Sequence, residues 1–345
     1  MATEDERYRN SSQFRLWSYS PKALKELREK TNNLAQQQII PRLAADALPE
    51  FLTTDEEIQL VKFFTVELLR AAEFLDLPTE IRATAAIFLR RFYITNSVMT
   101  YPPDDLLKTC IFFGCKAENF YYRLNKLADA LPNTTSEQIL AGEFLLCQGM
   151  RFAFDVRHPF RALEGAILEL RNRLPDEEKR IQAAHGQARH ILKFSSILTD
   201  VYFHFTPSQI MLAALLISDP GLANELIPTT GIDSAIREKI ISTIEQCKTM
   251  LQQEPPENMN QYSTASDTIK VIKRLRKKLR KCRDPDRADL VALQKARREQ
   301  AMNKPKPSNG GQMLADAAVF GDAESREAKR RKLEAANDMF GPALG

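Results

Sequence analysis

Apolar residues recur along this chain at intervals of three and four, the period of helices buried on one side. From Thr54 the stripe runs Ile58, Val61, Phe64, Leu68, with acids in the opening turn where they favour the helix dipole. Pro78 ends this helix and Thr79 is expected to cap the next, an amphipathic one striped by Ile81, Ala85, Phe88 and Phe92. A polar turn and the Pro102-Pro103 break follow, then a helix from Asp104 that is apolar nearly all round between Leu106 and Cys115. A helix without a polar face must be enclosed by protein, so this segment is expected at the centre of a helical domain. A short helix over about 124–131 and one opened by Thr134-x-x-Glu137, a capping box, complete a set of five. A second set of helical patterns covers Phe160–Leu170, Glu177–Leu198, Ser208–Ser218 and Ile232–Leu251. Thr206-Pro207 is a start signal within it and Asp219-Pro220-Gly221 a stop. Strand signals are nearly absent, so the pattern predicts an all-α protein in which a five-helix unit is repeated.

Segments outside the two sets carry their own signals. Residues 1–50 predict one amphipathic helix with Ser20 as N-cap, Pro21 at its first position, and Leu24 and Leu27 on one face. Trp17, the only tryptophan, stands just before it and is expected to anchor this extension on the body. Beyond Pro255-Pro256 a polar linker covers 257–268. The segment KVIKRLRKKLRKCR, 270–283, then holds nine Lys or Arg and no acid, with Ile272, Leu275, Leu279 and Cys282 spaced for one buried stripe. Asp284-Pro285 is expected to restart a helix. From Lys304 the composition turns to Pro, Gly and Ala, which predicts a largely disordered tail. The expected divisions are 1–50, 51–156, 157–252, 253–303 and 304–345.

Two charges interrupt the apolar pattern where it is strongest. Lys116 follows the run IFFGC directly, with Glu118 two residues later. Downstream, Glu143 lies on the apolar stripe of Ile139, Leu146 and Met150. A carboxylate on a core-facing stripe needs a partner, because burying an uncompensated charge is costly. Lys116 is the expected one. An internal ion pair that closes the domain and a pair that faces a partner fit this pattern equally.

Composition excludes several classes. Charged residues make up 27% of the chain, and no apolar run reaches the ~18 residues that a membrane span needs. The opening MATEDERYRNSSQF has no apolar stretch, so no secretory leader is expected. Five cysteines, set mostly in apolar helical patterns, are expected as reduced buried thiols. Glycine-rich phosphate loops, G-x-S-x-G, H-E-x-x-H and C-x-x-C are all missing. His185 and His190, five apart, point about 140° from each other around a helix, a poor ligand pair. No catalytic residue, metal or cofactor is expected. In the tail, Lys329, Arg330, Arg331 and Lys332 form a basic cluster of the kind that directs nuclear import.

Four stretches resemble the cyclin family, most closely its cyclin H branch: NSSQFRLWSYSPKALKELR, RRFYITNSVMTYPPDDLLKTCIFFGCK, FRALEGAILELR and LTDVYFHFTPSQIMLAALLIS. The resemblance spans roughly residues 10–250. It implies two consecutive five-helix cyclin folds with N- and C-terminal flanking helices, and a nuclear regulatory subunit without catalytic activity. The implied partner is a cyclin-dependent kinase of the CDK-activating type, which also serves in transcription factor IIH. A RING-finger assembly subunit and the TFIIH core are implied through the complex, and direct nucleic-acid binding is not. The family's Lys–Glu pair at the kinase contact falls on Lys116 and Glu143, with Phe112 and Glu118 beside it. Its apolar contacts after the fifth helix fall on Phe152 and Phe154. Ala117 and Asn119 depart from the family pattern and thin that contact. LVKFF, at Leu60–Phe64, replaces the substrate-docking motif of cell-cycle cyclins. The cyclin of a different transcriptional kinase (a cyclin C relative) and a TFIIB-like DNA-binding factor are the rival readings. The second predicts an N-terminal zinc ribbon, yet no cysteine precedes Cys110.

Overall fold

The computed structural model describes residues 4–43, 48–227, 233–287 and 289–302, and all regular structure among them is helical. The N-terminal extension holds three helices where one was expected: α1 (Glu4–Arg9), α2 (Ser12–Trp17) and α3 (Pro21–Ile39). The expected helix is α3, and Ser20 Oγ caps it by accepting the Ala23 N–H at 3.2 Å. The two additional helices are one and a half turns each, too short to show a period in the sequence.

The first helical set is α4 (Thr54–Phe74), α5 (Thr79–Thr95), α6 (Pro103–Ala117), α7 (Leu124–Ala130), α8 (Ser136–Ala141) and α9 (Glu143–Gly149). Thr53 and Glu56 form a reciprocal capping box on α4. Its buried side is Leu60, Phe64, Leu68 and Leu69, while the expected Ile58 and Val61 are half-buried. Thr79 is the first residue of α5 and caps nothing; Pro78 holds the cap position without a side-chain bond. The second capping box sits one residue later than expected, on Thr135 and Gln138. The fifth helix breaks at Gly142 into α8 and α9, where a Cβ would lie 2.6 Å from Thr109 Oγ1.

The central helix is α5, not α6. Every residue from Ala83 to Ile94 in α5 is buried, including Arg90 and Arg91. The sequence reads α5 as amphipathic because those arginines look like a solvent face. The fold instead supplies acceptors for both. Arg90 donates to the carbonyls of Ile197 (2.5 Å) and Thr199 and to Asp200 Oδ1 (2.5 Å). Arg91 donates to the carbonyl of Asp155 at 3.0 Å and to Gln13 Oε1 at 3.3 Å. Charge-assisted bonds of this kind offset the desolvation of a buried guanidinium. Helix α6 reaches α5 through Gly114, where a Cβ would stand only 2.9 Å from that of Ala85.

The second set is α10 (Phe160–Arg173), α11 (Glu178–Leu198), α12 (Val201–His204), α13 (Pro207–Ser218), α14 (Pro220–Leu226) and α15 (Ser234–Leu251). Thr206 and Gln209 form the capping box of α13. Asp219 both ends α13 and caps α14, its carboxylate accepting the Leu222 N–H at 3.0 Å, so the expected stop is also a start.

The expected polar linker contains α16 (Asn258–Thr264), held by packing of Met259 and Tyr262 on the core and by an Arg70 bond to the Met259 carbonyl. The basic segment is α17 (Ser266–Cys282), which buries Ile272, Leu275, Leu279 and Cys282. Asp284 does not restart a helix. It is fully buried, its N–H donating to the Met99 carbonyl at 2.8 Å and its carboxylate accepting from Arg42 at 2.5 Å. Helix α18 (Leu290–Met302) begins later. Residues Met1–Lys295 belong to one compact unit; of the second, from Ala296, the described part is the end of α18. The tail 304–345, with Lys329–Lys332, lies outside the described residues. All five cysteines are unpaired, Cys147 half-buried and the others buried.

Candidate partner-binding surface

Helix periodicity assembles the first part of the site. Phe112 and Phe113 precede Lys116 by four and three residues, which sets all three on one side of the last turns of α6. The Lys116 ammonium lies 5.2 Å from the Phe112 ring and 5.9 Å from that of Phe113. The break at Gly142 starts α9 with Glu143, whose Oε1 accepts from Lys116 Nζ at 2.7 Å. The Lys116 side chain is half-exposed and Glu143 retains about a fifth of its accessibility (50% and 21%). The pair therefore sits at the rim of the core, not inside it.

Aromatic side chains extend the rim. Phe154 packs on Phe113 at 5.0 Å, and Phe152 on Phe154 at 6.5 Å. Phe154 is half-buried, whereas Phe152 and Phe144 stand more than half exposed (61% and 56%). Phe152 is aimed outward by its backbone. Arg151 and Phe152 both adopt positive φ (52° and 55°), and their N–H groups close the end of α9 on the carbonyls of Gln148 and Cys147, each at 2.9 Å. A bulky residue in the left-handed region is strained by about 1–3 kcal/mol and persists only where its surroundings fix it.

Glu118 has a different partner from the one its position beside Lys116 suggests. It ends a hydrogen-bonded chain through the first set into the second. Thr84 Oγ1 donates to the Glu118 carboxylate at 2.6 Å, His158 Nε2 lies 2.8 Å from the same hydroxyl, and His158 Nδ1 lies 2.8 Å from the Tyr202 hydroxyl. A carboxylate only accepts, so Thr84 must accept from His158 Nε2–H, and Nδ1 must accept from Tyr202. One tautomer satisfies the whole chain. Burial, reinforced by the nearby Arg91 charge, pushes the His158 imidazole down to about 3, so it is neutral at physiological pH. Burial pushes Tyr202 upward, which keeps its hydroxyl a donor.

The N-terminal anchor joins this surface from behind. Trp17 and Leu24 are buried and Leu27 is half-buried. Two guanidinium groups lie over the indole, that of Arg91 at 5.2 Å and that of Arg151 at 5.8 Å from its ring. Gln13 Oε1 accepts from Arg91 and from the Arg157 N–H. Phe113, Phe144 and Arg151 were not singled out from the sequence. The i+3 spacing of Phe113 to Lys116 carries a signal for the first; Phe144 and Arg151 read as ordinary surface. Leu60 and Phe64 are buried, with Arg276 of α17 5.8 Å over the Phe64 ring. Among the described residues no group of His, Cys, Asp and Glu is arranged to hold a metal, and no helix is long and apolar enough to cross a membrane.

Comparison with known proteins gives the same family from sequence and from shape. The cyclin C-terminal domain model matches residues 158–252. Cyclin CCL1 of Saccharomyces cerevisiae is 34% identical over 258 residues, which are 66% of this chain and 62% of that protein. The chain therefore spans somewhat less than two thirds of that relative. Cyclin-H of Xenopus laevis is 28% identical over 219 residues, 61% of this chain and 67% of its own length. Among solved structures, a chain of the CAK complex from Chaetomium thermophilum bound to ATP-gamma-S superposes with a TM-score of 0.84. It is 54% identical, and the match covers 90% of this chain and 100% of that one. A chain of the yeast TFIIK (Kin28/Ccl1/Tfb3) complex matches with a TM-score of 0.61 and 33% identity, over 71% of this chain and 100% of that one.

Proposed function

This chain belongs to the cyclin family, in its cyclin H branch, and from that premise we propose that it is the non-catalytic regulatory subunit of a cyclin-dependent kinase of the CDK-activating type. The observation that carries the reading is the half-exposed Lys116–Glu143 pair set among Phe112, Phe144, Phe152 and Phe154. Exposed aromatics around a partly desolvated charge pair have the make-up of an interface centre. The kinase's C-helix docks on this surface and is held inward, so that its glutamate pairs with the β3 lysine that positions the ATP phosphates. The action is a population shift: the chain binds one kinase conformation better than the other and adds no atom to phosphoryl transfer. A chain of a CAK complex and a chain of the yeast TFIIK (Kin28/Ccl1/Tfb3) complex match this one, which supports a kinase as partner. Our reading extends to a RING-finger assembly subunit, a TFIIH-type complex, and nuclear phosphorylation of the RNA polymerase II C-terminal domain.

The pair itself provides the test. In the free chain a half-exposed ion pair contributes only about 0–1 kcal/mol. Once the kinase covers it, removing one member leaves the other charge buried and costs about 2–5 kcal/mol of binding. Lys116→Ala and Glu143→Ala are therefore expected to leave unfolding midpoints almost unchanged while weakening kinase binding by tenfold or more. Unchanged affinity in both variants would refute the assignment.

A further inference from the structure

Helix α17 carries a cationic face that neither the fold nor the proposed kinase surface uses. At 100° per residue, its buried residues Ile272, Leu275, Leu279 and Cys282 fall within an arc of about 80°. The two cations flanking that arc are clamps: Arg276 pairs with Asp104 at 3.2 Å, and Lys278 with Glu50 at 2.5 Å and Glu56 at 2.7 Å. Directly opposite the buried stripe stand Lys270, Lys273, Arg274, Lys277, Arg280 and Lys281, all exposed. Of these six only Lys270 makes an ion pair within 4.0 Å among the described residues, with Asp267 of its own first turn. The acids of the body are thus engaged on the flanks, and the outward arc of about 120° is left purely cationic over a length of about 16 Å.

Holding this arrangement has a cost. Lys273 and Lys277, Lys277 and Lys281, and Lys270 and Arg274 are like charges at i,i+4, and each such pair destabilises a helix. Packing gives no return on that repulsion, since none of these side chains enters the core. A polyanion laid along the helix would relieve it.

The geometry points to a sequence-independent contact between this face of α17 and the phosphodiester backbone of nucleic acid. An acidic protein segment fits less well, because such segments gain affinity from anchor side chains. Within the arc there is no apolar or aromatic group to receive one; Val271, the exposed aliphatic of this helix, lies outside it. A duplex offers one charge per ~1.7 Å of axis and asks for nothing but matching cations. The cations of this face are engaged on phosphates, and phosphate contacts carry no sequence information, hence the lack of sequence preference.

The test uses the full chain and a short fluorescent duplex of mixed sequence, followed by anisotropy across a salt series. Four or so neutralised phosphates predict a slope of log affinity against log salt of about −4. The triple variant Lys273→Glu, Lys277→Glu, Lys281→Glu is expected to weaken binding at least tenfold and to flatten that slope by about 3. Its thermal stability should stay close to that of the wild type, since all three side chains are exposed and none enters the core. The milder triple Lys→Gln change should fall between. Failure of the wild-type chain to bind at low salt would overturn the proposal, as would full binding by a folded triple variant. Loss of binding only when Lys329–Lys332 are neutralised would place the contact in the tail and also overturn it. Stronger binding to a polyglutamate chain of equal charge would reassign the face to an acidic protein.

Discussion

His158 gives the fold a sharp dependence on pH that can be worked out in advance. Its neutral ring is required twice, as a donor to Thr84 and as an acceptor from Tyr202. An imidazole that titrates near 6.5 in the unfolded chain is held down to about 3 in the folded one, by burial first and by Arg91 second. The sign follows from that direction. Because the folded state prefers the unprotonated ring, its stabilisation is complete above about pH 6.5 and is lost as pH falls toward 3. Between pH 7.5 and 5 the unfolded state takes up almost a full proton that the folded state refuses, which amounts to about 2 kcal/mol. Urea unfolding midpoints measured across this range should fall accordingly in the wild type. In His158→Gln, which can keep a donor and an acceptor but does not titrate, they should stay level. Nitrogen chemical shifts of the ring should report a neutral Nε2–H tautomer down to pH 5. A wild-type midpoint that does not move between pH 7.5 and 5, or an equal fall in the variant, would refute the buried relay.

Two further substitutions probe what joins the elements. Trp17→Ala should destabilise the chain by about 3–5 kcal/mol, the range for emptying a buried aromatic site, and the emission of this single indole should be shifted to the blue of hydrated tryptophan. Asp200→Asn should cost about 3 kcal/mol in denaturant unfolding, because it leaves Arg90 and Arg28, bonded to that carboxylate at 2.5 and 2.8 Å, uncompensated. Burial pushes the Asp200 carboxyl up, yet the hydrogen bonds from Arg28 and the charges of Arg90 and Arg28 outweigh it and hold it well below the usual carboxylate range. Its contribution is therefore present above about pH 4 and is lost on further acidification, a window below that of His158.

Which of these features could be read in advance depends on the distance over which their cause acts. Helix α3 and its Ser20 cap, α13 with Thr206 and the buried stripe of α17 all follow from residues three or four apart, and the expected positions hold. Lys116 and Glu143 were legible for the same reason: each interrupts an apolar stripe, and a charge in that place needs a partner. The break at Gly142 was not, because it depends on how closely Thr109 of α6 approaches. Nor was the link of Glu118 to Tyr202, which joins four segments far apart in sequence and has no periodic signature.

The misassigned centre of the first set shows what such long-range causes do. Arg90 and Arg91 mark α5 as half-solvated by every local criterion, and α6, with its unbroken apolar run, looks like the better candidate. The acceptors that reverse this lie elsewhere: carbonyls at Ile197 and Thr199, the carboxylate of Asp200, the carbonyl of Asp155 and the amide of Gln13. Each belongs to the second set, the segment between the sets, or the N-terminal extension. Removing an acceptor while its element stays docked leaves a guanidinium buried in α5 without its partner, at a cost of several kcal/mol. The central helix of the first set therefore depends on acceptors that the other elements supply. Helix α6, which carries Lys116, packs on that helix through Gly114, so the surface proposed to receive the kinase inherits the same dependence. Asp200→Asn and Gln13→Ala, far from Lys116 in sequence, are therefore expected to weaken kinase binding in a titration of the folded variants, and unchanged affinity in both would refute this dependence.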